Sequence, residues 1–228
     1  FDTSYCGGMR YIADIVNELQ ERGVNAKVVQ IKRNPQGNTQ PLDELRVAPY
    51  VFDTTEDFLK KFEETVFEKG VVVAATAELV QIIETLCNNS KKLIPSLLAQ
   101  SDDMALAADQ KTKSFIENSY KLAKNVITNS KWLNDQLNKE YGVSTLGWVH
   151  PGYDADLFYP REREKGDDRP TVMIPLLSGY PFKGLERGVS VANELWKLAQ
   201  EKGTEIRILS YGVLHVASSP FITCLGKL

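Results

Sequence analysis

The sequence predicts an α/β protein made of two doubly wound, parallel sheets, the second of them incomplete. Three observations carry this. Short apolar runs alternate with amphipathic stretches, glycines and turn residues punctuate the passage between them, and one stretch interrupts the alternation. That stretch, 150–170, is rich in Pro, Gly, Asp and Arg and reads as a linker. The division expected is a first domain over 1–150, a hinge over 151–169 and a partial second domain over 170–228.

Taking the elements in order, 9–22 carries Tyr11, Ile12, Ile15, Val16 and Leu19 at helical spacing, and Gly23 stops the helix. The β-branched run 24–31 reads as a strand. Loop, helix, glycine and strand make the latter part of a βαβ unit, so a strand is expected ahead of Gly7-Gly8, clipped at Phe1. The apolar run 71–75 suits a strand buried on both faces, with a helix over 77–86 after it. A strand over 92–99, despite Pro95, precedes a helix over 114–123. Val126-Ile127-Thr128 is a brief strand, Ser130 caps a helix over 131–141, and 146–149 closes this half as a strand. Beyond the linker come a strand over 171–177, a Gly-Tyr-Pro-Phe-Lys-Gly loop ending at Gly184, a helix over 185–201, a strand over 205–209 and a third over 221–225. A sheet of about three strands is small for this class.

Composition narrows the function classes. Of 228 residues, 43% are hydrophobic and 25% charged, which suits a globular protein with a sizeable core. A net charge of -3 gives no electrostatic case for nucleic acid. Lys60-Lys61, Lys91-Lys92 and the basic residues within 161–165 read as solvated faces, with peripheral contact to anionic lipid left open. The cysteines, Cys6, Cys87 and Cys224, are odd in number and too far apart to define a disulfide framework or a metal site. Reduced thiols and the lack of a targeting or membrane-spanning run lead to the expectation of a cytoplasmic protein.

Gly7-Gly8 stands at the mouth of a helix, where unpaired N–H groups favour an anion and glycine lets a ligand approach the backbone. A plain turn is the competing reading, and no Gly-x-Gly-x-x-Gly fingerprint is present. More informative is 126–160: Val-Ile-Thr-Asn-Ser-Lys-Trp-Leu, then Glu-Tyr-Gly-Val, then Val-His-Pro-Gly-Tyr-Asp-Ala-Asp-Leu-Phe-Tyr-Pro. This resembles the end of the first domain in family 4 of the retaining GT-B glycosyltransferases. There a strand runs into Asn-Ser, a helix and Tyr-Gly follow, and Pro-Gly-x-Asp-x-x-x-Phe-x-Pro leads into the second domain. The strand, loop and Lys183-Gly184 match the opening of that family's second domain, where the lysine meets the donor diphosphate. A lysine at a loop-to-helix junction suits phosphate as a point charge.

The resemblance implies a GT-B fold of two Rossmann-like domains that moves a sugar from a nucleotide-sugar co-substrate to an acceptor hydroxyl, a sugar, lipid-linked or small-molecule acceptor, with retention. It implies Gly7, Gly8, Lys183 and Gly184 for donor and phosphate, and Gln100, Asp102, Asn129, Ser130, His150, Gly152 and Asp154 for the acceptor side or cleft. For Gln100 and Asp102 a plain strand-end loop is the competing reading. It assigns no catalytic residue, and neither metal nor cofactor is expected. The sequence departs from the family at three places. No arginine precedes Lys183 on its strand, the histidines are only His150 and His215, and the family's Glu-x7-Glu donor segment would fall well beyond Leu228. The expectation is therefore a fragment, clipped at both ends and inactive by itself. A nucleotide-sugar epimerase of the same fold and a non-catalytic binding protein are the alternatives.

Overall fold

The computed structural model describes residues 7–32, 45–156, 158–160, 169–177, 183–212, 216 and 218–226. It divides into two compact units, Phe1–Phe158 and Tyr159–Leu228, a boundary inside the Pro/Gly-rich stretch. Both units are α/β with parallel sheets.

In the first unit α1 spans Gly7–Glu21 and buries Tyr11 and Ala13. Gly23, at φ +78, turns the chain out of the helix. The strand that follows, β1, is only Val29–Ile31, not the run from Val24. A turn consumes the difference: the Ala26 N–H donates to Val24 O, and Gln20 Nε2 donates to Ala26 O. β1 pairs in parallel with β2, Tyr50–Phe52.

Both β2 and helix α2, Thr55–Thr65, were absent from the sequence expectations. The signals for α2 are nonetheless present: Thr54 caps it through the Asp57 N–H, and Phe58 and Phe62 fall one turn apart on its buried side. Phe52, Phe58, Phe62 and Phe67 form an edge-to-face row with ring centroids 5.3–5.5 Å apart. Such pairs contribute about 0.5–1.5 kcal/mol each beyond the area they bury.

The main sheet has the order β3-β4-β5-β6, all parallel. Its strands are β3, Gly70–Ala74; β4, Leu93–Ala99; β5, Val126–Thr128; and β6, Thr145–Trp148. A 3-10 turn, Ala77–Leu79, leads into α3, Val80–Asn89, which packs Val80, Ile83 and Leu86 into the core. Pro95 is tolerated inside β4 because β5 pairs only from Leu97 onward, so no ladder bond is lost on that side. The short α4, Asp103–Leu106, is followed by α5, Gln110–Leu122. α5 starts earlier than apolar spacing alone indicates, because Asp109 accepts the Thr112 N–H at 2.7 Å. α6, Lys131–Tyr141, ends on left-handed Gly142. One apolar core joins α2, α3, α5 and α6 to both sheets of this unit.

The second unit carries β7, Thr171–Pro175; α7, Leu185–Glu201; β8, Arg207–Tyr211; and β9, Ile222–Cys224. Its sheet has the order β7-β8-β9, the three strands expected. Leu176, Ala192, Ile208 and Ile222 form its core, with Trp196 stacked on Phe221 at 4.7 Å. Gly188 lets α7 approach β7, since a Cβ there would stand 2.7 Å from Leu176 Cδ2. Gly212, at φ +104, has a Cβ position 2.5 Å from Leu176 O.

Candidate functional site

In open parallel sheets, ligands bind beyond the carboxyl ends of the strands. In the first unit that edge gathers residues from three segments: the first turn of α1, the loop after β4 and the loop after β5. The Asn129 N–H donates to Ala99 O at 3.1 Å, and Asn129 Nδ2 donates to Gln100 O at 2.8 Å, so the two loops are tied directly. Gln100 Nε2 reaches back to Ala75 O, after β3, at 3.3 Å. The other amide atom, Gln100 Oε1, lies 3.0 Å from where a Cβ on Gly8 would be. Gly8, Gln100 and Asn129 are thus brought together, and the missing Cβ of Gly8 is what allows the approach. Gly7 opens α1 with nothing crowding its Cβ position.

Asp102 has a different occupation. It is 8% exposed and caps α4, accepting the Ala105 N–H at 3.0 Å, while Tyr141 Oη donates to its carboxylate at 3.0 and 3.1 Å. Its neighbour Asp103 accepts the Ala77 N–H at 3.0 Å and the Ser101 hydroxyl at 2.6 Å. These carboxylates stitch the loop after β4 to the turn after β3 and to the end of α6. Burial, then the adjoining Asp102 carboxylate, raises the Tyr141 phenol above its ordinary value. Burial and Asp103 push Tyr120 far above its own. Both phenols therefore act as neutral donors or packing groups at physiological pH.

Ser130 caps α6 by accepting the Leu133 N–H at 3.2 Å, and Thr128, fully buried, donates to Ser130 O at 3.0 Å. That cap was legible in the sequence, but it commits the hydroxyl to the helix. His150, Gly152 and Asp154 follow β6 and are exposed. Asp154 accepts the Asp156 N–H at 3.0 Å and so shapes its own turn. A link no motif announced fixes the start of this segment: the Tyr11 phenol, on α1, donates to Val149 O at 2.7 Å.

In the second unit Lys183 is exposed just ahead of Gly184, which takes φ +71 at the N-terminal boundary of α7. Gly184 O accepts the Gly188 N–H at 2.9 Å, the first bond of the helix. A left-handed residue here favours glycine and sets the lysine at the head of α7. Residues 178–182 of the same loop, and His215, lie outside the described residues.

Among the described residues no group of three or more His, Cys, Asp or Glu side chains is arranged to hold a metal, and no helix is long and apolar enough to cross a membrane. The fold and these loops define an α/β protein of parallel sheets with polar groups gathered at the strand ends. No protein-family model matches the chain, and no curated protein sequence matches it either.

Proposed function

We propose that the protein is a GT-B glycosyltransferase of the retaining kind, moving a sugar from a nucleoside diphosphate donor to an acceptor hydroxyl. The observation that carries the reading is the segment 126–160. Its strand, Asn-Ser cap, helix, Tyr-Gly stop, strand and Pro-Gly-x-Asp turn follow one another in the family's order. Gln100 and Asn129, held together beside Gly8, support it as an acceptor-side surface, neutral and rich in hydrogen-bonding groups, as a sugar or other polyol requires.

On this reading Gly7 and Gly8 leave the first N–H groups of α1 open to an anionic or hydroxyl-bearing ligand. Lys183 and Gly184, at the head of α7, face the diphosphate. The ammonium offsets charge that develops on the departing diphosphate, and the strand-end loops orient the acceptor hydroxyl. Donor sugar, base and acceptor are then set by residues other than these.

The test is calorimetric titration of the 228-residue chain with UDP, GDP and ADP, repeated on Lys183→Ala. The expected outcome is binding of one nucleotide that weakens at least about tenfold in the variant, the loss of one charge-assisted contact. Equal affinity in both proteins removes Lys183 from the site, and no binding of any nucleotide denies the 228-residue chain a working donor site.

A second reading, ligand binding without transfer, is favoured by one observation: no arginine lies between Thr171 and Lys183 to share the diphosphate charge. It predicts no sugar transfer from any nucleotide sugar, even where nucleotide binds.

A further inference from the structure

We propose that Lys124 is a charge-sensitive latch: acylation of this exposed lysine, which removes its charge, releases α3 from α5 in the first unit. Two polar ties, about one turn apart on α3, join the helices. Gln81 Nε2 donates to the buried Ser119 hydroxyl at 3.3 Å, and Lys124 Nζ, just beyond α5, donates to Glu84 Oε2 at 3.0 Å. The second tie is lopsided. Side-chain exposure is 62% for Lys124 and 8% for Glu84, whereas Lys121 and its partner Glu117 are both more than half exposed.

Glu84 depends on that one cation. Its Oε1 is buried without a hydrogen-bond partner among the described residues. The small space beside it is walled mainly by apolar side chains, among them Ile83, Pro95 and Leu97, with Ser96 and Lys124 the other polar residues. A carboxylate withdrawn from water needs a partner charge, so removing only the cation costs far more than losing an exposed pair. The backbone keeps that cation in place. Asn125 takes φ +49, a conformation asparagine tolerates, and its Nδ2 donates to Pro95 O at 2.9 Å. Lys124 is thereby pinned where the chain passes from α5 to β5.

The chemistry that works on such a lysine is acyl transfer from an acyl thioester. The ammonium first gives one proton to solvent. The amine nitrogen then bonds to the acyl carbon, the carbon–sulfur bond breaks, and a second proton leaves with the thiol. The product amide is neutral, so Glu84 keeps its buried charge with nothing to offset it. The 3-10 turn that opens α3 supplies the Ala77 N–H to Asp103, so loosening of α3 reaches the loop after β4 as well.

The test places Nε-acetyllysine at position 124 of the 228-residue chain, with acetyllysine at position 121 as the control, both repeated in a Glu84→Gln background. The expected result for position 124 is a fall of about 4 °C or more in the unfolding temperature. It comes with faster amide exchange across Val80–Asn89. Acetylation of Lys121 shifts the unfolding temperature by less than about 1 °C, and in the Glu84→Gln background position 124 does no more than position 121. A chain that fails to fold when acetylated at 124 and folds again with Glu84→Gln supports the latch equally. Failure to fold in both backgrounds overturns it. So does a fall at position 124 no larger than at position 121, or one that persists undiminished with Glu84→Gln.

Discussion

Replacing Gly8 by alanine separates a site from a mere turn, because stability and ligand contact respond differently. Gly8 is the second residue of α1, where alanine is the better helix former by at most the about 0.5–1 kcal/mol of a helix interior. Against that gain, the new Cβ arrives 3.0 Å from Gln100 Oε1. The Gln100 amide is the far end of a flexible side chain, so it moves aside, and its 3.3 Å bond to Ala75 O is lost. A long neutral hydrogen bond is worth about 0.5–1 kcal/mol net. The two terms nearly cancel, and Gly8→Ala is expected to change the stability of the first unit by less than about 0.5 kcal/mol. In a Gln100→Ala background the clash is gone, and the same substitution stabilises by at most about 0.5–1 kcal/mol. Urea melts followed by tryptophan fluorescence, with Trp132 and Trp148 in this unit, give the four corners of the cycle. A loss above about 2 kcal/mol for Gly8→Ala, or equal effects in both backgrounds, refutes the reasoning. Where a ligand is in hand, Gly8→Ala weakens it by displacing Gln100 although the fold is intact.

Gly212→Ala adds a Cβ 2.5 Å from the backbone oxygen of Leu176 at φ +104, so strain and overlap combine to about 2–5 kcal/mol. Thermal unfolding of the second unit checks it, and a loss below about 1 kcal/mol contradicts the packing described. Burial, then Glu84, pushes the Cys87 thiol up to about 11, so iodoacetamide at neutral pH leaves it intact in the folded chain and labels it in urea. Rapid native labelling by mass spectrometry is the contrary result. The Thr112 N–H bond holds the Asp109 carboxyl below its ordinary 3.8. Its charge therefore stabilises α5 above that value, and the contribution is lost as pH falls through the lower folded pKa. Wild type and Asp109→Asn should differ in the pH dependence of helix content only on the acid side, by circular dichroism; identical acid limbs exclude the cap as the cause.

Much of the fold was legible because its signals are local. The Ser130 cap, the Gly142 stop and the three β-branched runs of the second unit each announce an element within a few residues. β2 escaped because Tyr50–Phe52 is too short to show a period, whereas α2 was missed although its local signals, the Thr54 cap and the Phe58/Phe62 spacing, lie in the sequence. The site was legible by composition and not by connectivity. Gly8, Gln100 and Asn129 are far apart in sequence, and only the parallel order of β4 and β5 puts their loops side by side. Asp102 looked like a free polar group after a strand, yet Tyr141, 39 residues on, claims its carboxylate. Nothing near Asp102 in sequence carries that information.

The bond from Tyr11 to Val149 O spans 138 residues and closes the first unit's opening helix onto its last strand. During synthesis α1 leaves the ribosome well before β6 and waits for its partner until that whole stretch has been made. At 5–20 residues per second the delay is on the order of ten seconds. Throughout it Tyr11, buried in the finished unit, is without its acceptor, and the helix is an amphipathic segment with an apolar side in water. This contact thus forms late, which puts a slow and aggregation-exposed phase of the unit's biogenesis at α1.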